Sequence, residues 1–134
     1  MAELWRPLRF VVLHHTGNPG KSDHFDLLFE SRFDEDEDAR TLVAFATIRN
    51  VFPTGGGAGD EVVALEAHRR RYLTYEGPVS DGRGCVSRAD FGDLIGDVTS
   101  TGAFKFHLVG QRLKGLFSIK PVDQLSFRFA CDTF

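Results

Sequence analysis

The chain has 134 residues, 42% of them apolar with 13 Phe, enough to bury one core and too few for two comfortable ones, so residues 1–134 read as a single domain. A formal net charge of −3 argues against broad attraction to nucleic acid, yet 12 of the 16 cations are Arg, the side chain shaped for bidentate phosphate contacts, so a local basic patch is allowed. Cys85 and Cys131, with no CxxC spacing, read as free thiols, and the lack of any long apolar run predicts a cytoplasmic protein with no membrane segment.

In chain order, Arg9-Phe10-Val11-Val12-Leu13-His14-His15 is a candidate strand that ends in two histidines and runs into the turn-rich Thr16-Gly17-Asn18-Pro19-Gly20. The stretch Asp23-His24-Phe25-Asp26-Leu27-Leu28-Phe29-Glu30 alternates with the period of a strand. Phe25, Leu27 and Phe29 then point one way, and His24, Asp26, Leu28 and Glu30 the other. An imidazole and a carboxylate two residues apart on one rigid face are half of a divalent-metal site. A hairpin would carry His15 or His14 back to supply a third ligand.

The acidic run Asp34-Glu35-Asp36-Glu37-Asp38 fails the EF-hand pattern, since Ala39 stands where the sharp turn wants Gly and Phe45 where the loop wants Glu; it reads as a solvated hairpin tip. Thr41-Leu42-Val43-Ala44-Phe45-Ala46-Thr47-Ile48, ending at Arg49, reads as a strand buried on both faces. Thr54-Gly55-Gly56-Gly57-Ala58-Gly59-Asp60 lacks the register of a phosphate cradle and reads as a flexible connection. The strand Glu61–His68 then delivers His68 to Arg69, Arg70 and Arg71, followed by Tyr72. Charge-assisted donors grouped in this way are what phosphate binding requires.

Residues 74–84 are dense in turn formers, and Ser87-Arg88-Ala89-Asp90 is expected to cap a short helical turn. Alternation returns in 103–110, 113–120 and 125–131, giving a hairpin and a last strand. His107 reads as a surface or hydrogen-bonded histidine, and Trp5 and the Phe residues as core. About seven short strands without a long helix predict an all-β fold, a compact antiparallel barrel or a sandwich with few short helical turns.

Five segments in order, Phe10-Val11-Val12 with His15, His24-Phe25-Asp26 with Glu30, Leu42-Val43-Ala44-Phe45-Ala46, Leu65-Glu66-Ala67-His68 with Tyr72 and Tyr75-Glu76-Gly77-Pro78, and Phe106-His107-Leu108-Val109-Gly110-Gln111-Arg112-Leu113-Lys114-Gly115, resemble the 3′-phosphoesterase domain of bacterial DNA ligase D. The resemblance spans about Phe10 to Lys120 and implies a compact β-barrel that uses a divalent metal, typically manganese, with zinc or another transition metal as alternatives. It implies processing of DNA or DNA/RNA 3′ ends in end joining, by removal of a terminal ribonucleoside and then of a 3′-phosphate. By similarity His15, His24 and Asp26 are the metal ligands, and His68 and Tyr72 contact the scissile phosphate.

Three features depart from the family pattern. Leu28 stands where the family motif has an Arg, so Arg49, Arg69, Arg70 or Arg71 would have to supply the phosphate-binding cation. Eight residues separate His15 from His24 where the family has five, which reads as a longer turn outside an unchanged site or as a switch to His14. No ligase or polymerase domain is attached in this sequence, so such a partner would act in trans. The alternative to an enzyme is a nucleic-acid or phosphate binding module that has lost turnover with Leu28.

Overall fold

The computed structural model describes residues 6–96, 98 and 103–132; Trp5 lies outside them. Among the described residues nine strands follow in chain order: β1 (Leu8–Thr16), β2 (His24–Glu30), β3 (Leu42–Thr47), β4 (Asp60–His68), β5 (Gly77–Pro78), β6 (Cys85–Gly96), β7 (Phe104–Val109), β8 (Lys114–Pro121) and β9 (Ser126–Cys131). Their order in the sheet is β1-β2-β3-β4-β9-β8-β7-β6, and β6 pairs back onto β1, so eight antiparallel strands close into a barrel. Closure leaves no long unpaired edge. The two-residue β5 extends the sheet beside the start of β6. Among the described residues no helix is long and apolar enough to cross a membrane.

Two apolar clusters explain which segments became strands. All eight barrel strands feed the first, with Phe10 and Val12 from β1, Phe25, Leu27 and Phe29 from β2, Phe45 from β3, and Phe106, Phe117 and Phe129 from the far side. This is the barrel interior. The second cluster, built on Val11, Leu13, Leu28, Leu42 and Ala44, lies on the opposite face of β1, β2 and β3. It is covered from outside by Leu73, Tyr72, Tyr75 and Val79, residues of the connection between β4 and β6, which carries two 3-10 turns, Arg70–Leu73 and Ser80–Gly82. Strands β1 to β3 are therefore apolar on both faces because they are buried on both.

Strand β6 replaces the helical turn expected at Ser87–Asp90. Its buried residues are Val86, Asp90 and Leu94, four apart, a spacing that imitates a helix. A register shift against β1 also interrupts the strand: Val12 pairs with Asp90 but Leu13 with Arg88, so Ala89 is extra, Val86 joins the outer cluster and Leu94 the barrel core. Gly92 keeps β6 close to β7, since a methyl group there would fall 2.0 Å from the Val109 carbonyl oxygen. The Gly-rich stretch before β4 is also pinned: the Asp60 carboxylate accepts the Thr54 and Gly55 N–H groups, and Cys131 N–H donates to the Gly55 carbonyl at 2.7 Å. Those bonds tie it to the start of β4 and the end of β9.

Asp90, 1% exposed, holds the hairpin between β7 and β8. Its carboxylate accepts N–H bonds from Phe91 (2.9 Å), Gln111 (2.7 Å), Arg112 (3.2 Å) and Leu113 (2.7 Å). Asp90→Ala should orphan these donors and cost about 3 kcal/mol. Urea denaturation should show a lowered midpoint with an unchanged slope.

Candidate metal centre

The outward face of β2 carries His24, Asp26, Leu28 and Glu30, and the antiparallel register sets His15 of β1 opposite His24. Glu30, fully buried, accepts a bidentate pair from Arg6 (2.8 and 2.9 Å) and the Arg9 N–H (3.0 Å); it is spent on structure. His15, His24 and Asp26 offer one ligand atom each, all within 4.8 Å of one another. His15 Nδ1 lies 3.5 Å from Asp26 Oδ2, and His24 Nε2 3.1 Å from Asp26 Oδ1. Tetrahedral ligands at ordinary zinc-type bond lengths stand about 3.4 Å apart.

Backbone carbonyls aim the two rings. His15 Nε2 is 2.7 Å from the Arg83 carbonyl, and His24 Nδ1 is 2.9 Å from the Ser22 carbonyl. A carbonyl only accepts, so those nitrogens carry hydrogen and the others, facing Asp26, are the ones free to ligate. Gly84 (φ +84) makes the first contact feasible, because a Cβ there would sit 2.1 Å from the Thr16 carbonyl. At the near end of β2, Phe25 N–H donates to Thr47 Oγ1 at 3.0 Å, which fixes the strand beside His24.

The electrostatics are those of a cation site holding protons instead. The Asp26 carboxylate raises both histidines above their ordinary value, against the pull of burial. Burial pushes Asp26 upward, but His15 and His24 outweigh it and leave the carboxyl at about 2. Asp26 Oδ1, deeply buried, has no hydrogen-bond partner among the described residues. An orphaned carboxylate oxygen between two deprotonatable ring nitrogens fits a divalent ion. His15, His24 and Asp26 could thus hold a metal.

His14 does not join them. It stacks on Phe25 with ring centroids 4.3 Å apart and meets Asn50 at 3.0 Å, on the other face of β1.

The cluster opens into a cleft of about 830 Å³ whose lining includes His68, Tyr72 and Arg69. His68 Nδ1 is 2.8 Å from the Glu66 carbonyl, so its Nε2 is free, and its ring meets Tyr72 edge to face at 6.0 Å. The other candidate cations lie elsewhere. Arg70 is paired with Glu37, and Arg71 with Asp38 at 2.6 Å, so the acidic run docks on the 3-10 turn instead of standing as a free tip. Arg49 is exposed beyond the end of β3 and does not line the cleft, and His107 is exposed on β7. Lys21, Arg40 and Arg83, which sequence reasoning missed, do line it. Only Lys21 carried a signal, its place between the two histidines. The longer link between His15 and His24 is not outside the site: Asn18, Pro19, Gly20 and Lys21 form one wall. Leu28 belongs to the outer apolar cluster and is fully buried.

No protein-family model and no curated protein matches this chain.

Equilibrium dialysis should find one divalent ion per chain, abolished by His24→Ala or Asp26→Asn. Binding must displace protons that Asp26 holds on the histidines, so affinity should fall as pH is lowered through their raised range and level off above it. Leu28→Arg should bury a guanidinium among Val11, Leu13 and Leu42 and lower stability by about 3 kcal/mol, with an earlier thermal transition as the readout.

Proposed function

We propose that the protein is a divalent-metal-dependent phosphoesterase that processes DNA 3′ ends, removing terminal ribonucleosides or 3′-phosphates, with manganese as its ion. The observation that carries this reading is that His15 and Asp26 of the metal cluster line a single cleft with His68, Tyr72 and Arg69. Four cations, Lys21, Arg40, Arg69 and Arg83, face three carboxylates, Asp26, Glu66 and Asp81, around it. A chain of formal net charge −3 therefore carries a positively biased cleft, which selects anions. The resemblance to the ligase D domain supplies the DNA end as substrate, and a ligase or polymerase as partner.

A bound ion would supply Lewis acidity toward a phosphoryl oxygen. The chain's own groups do the rest. His68, held at Nδ1 by the Glu66 carbonyl, presents Nε2 to the phosphoryl group, Tyr72 donates its hydroxyl hydrogen, and Arg69 neutralises charge as it develops. Water adds to phosphorus, the bond to the 3′ oxygen breaks, and that oxygen takes a proton, leaving inorganic phosphate and a 3′-hydroxyl.

A second reading, a phosphate-binding module without turnover, is favoured by Leu28, which leaves β2 without a cation.

A primer–template ending in one ribonucleotide or in a 3′-phosphate, incubated with manganese, should be trimmed. Chelation and His24→Ala should abolish trimming, and His68→Ala should slow it about a hundredfold while retaining the ion. No product from either end by a chain with manganese bound would overturn the proposal.

A further inference from the structure

Two loops frame His15 and His24, and each brings a cation with no carboxylate partner among the described residues. The first, between β1 and β2, is closed by Lys21 N–H on the Asn18 carbonyl (3.1 Å) and by Gly17 N–H on Asp23 Oδ1 (3.0 Å). Its Lys21 lines the cleft, and the ammonium charge is felt at His24. No side-chain hydrogen bond or ion pair engages Lys21 among the described residues.

The second loop, between β5 and β6, is closed by Val79 N–H on the Gly84 carbonyl at 2.7 Å. Within it Arg83 donates from Nε to the Ser80 carbonyl (2.9 Å) and from Nη2 to Ser80 Oγ (3.0 Å). Those acceptors are neutral, so the guanidinium is held in place without losing its charge, and it keeps donors to spare. The Arg83 carbonyl also takes the Nε2 hydrogen of His15. A single residue thus orients a candidate metal ligand and stations a cation beside it. Arg70 and Arg71 contrast with this, because Glu37 and Asp38 already neutralise them.

We infer that Lys21 and Arg83 form the anion-binding wall of the cleft and hold the phosphoryl group presented at the His15–His24–Asp26 cluster, in place of a cation on β2. This rests on reading the cleft as a phosphoester site. Fixed fork geometry suits Arg83 to two oxygens of one phosphoryl group, while Lys21 adds a mobile point charge from the opposite loop.

The test is fluorescence anisotropy with a labelled single-stranded oligodeoxynucleotide ending in a 3′-phosphate, against the same strand ending in a 3′-hydroxyl, with EDTA and with manganese. Lys21→Ala and Arg83→Ala should each weaken binding of the phosphorylated strand about tenfold. The slope of log affinity against log salt should become shallower by about 0.7 for each cation removed. Lys120→Ala, at an exposed position on β8, should change neither. Manganese stoichiometry measured on the same proteins should stay at one per chain, separating a lost anion contact from a collapsed site. Wild-type affinity in Lys21→Ala, which forfeits no structural bond, would overturn the inference, as would a wild-type chain that does not prefer the phosphorylated strand. Weakened binding in both variants of a chain that trims no end would retain the anion wall and remove the phosphoesterase reading.

Discussion

A buried carboxylate between two imidazoles is the constraint around which this molecule is arranged. Asp26 sits on the outward face of a barrel strand, almost without solvent, and its charge is sustained by His15 and His24. Burial alone would push its pKa up. That balance depends on the carbonyls of Ser22 and Arg83, which keep hydrogen on the far nitrogens of the rings. Any displacement of the loops bearing those carbonyls would turn the rings and leave a carboxylate in an apolar wall.

The wall exists because β1, β2 and β3 are covered twice. Their inner faces join a barrel core drawn from all eight strands, and their outer faces join a second cluster beneath the connection from β4 to β6. That connection packs Leu73, Tyr72 and Tyr75 over the strands and places Arg83 beside His15. Packing and chemistry are thus one piece of structure. Leu28 illustrates the cost of this arrangement: on the face that bears the candidate ligands, an apolar side chain sustains the outer cluster where a cation would be desolvated.

Charge is sorted in the same way. Glu37 and Asp38 take Arg70 and Arg71, an exposed pairing of small energetic worth that nonetheless docks the acidic loop on the 3-10 turn, assisted by Arg70 N–H on the Ala39 carbonyl and Arg71 N–H on the Glu37 carbonyl. Lys21 and Arg83, which line the cleft, have no such carboxylate partner among the described residues.

Local sequence alone carries the all-β fold, the faces of β2 and the pairing of His24 with Asp26, because a period of two is a local property of the backbone. It also placed His68 and Tyr72 beside a cluster of arginines. It left His14 and His15 as alternatives, and only the register of β1 against β2 decided for His15. Strand β6 was illegible because its buried residues Val86, Asp90 and Leu94 fall four apart, and the one-residue shift that turns Val86 and Leu94 to opposite faces is defined only by the partner strand. The same holds for the cations. Arg70 and Arg71 look like a phosphate site until the acidic loop folds onto them, while Arg40 and Arg83 gain their meaning from a cleft whose walls come from four separate stretches of chain. Local periodicity is written residue by residue, whereas register and charge neutralisation are set by neighbours distant in sequence and only the closed barrel brings them together.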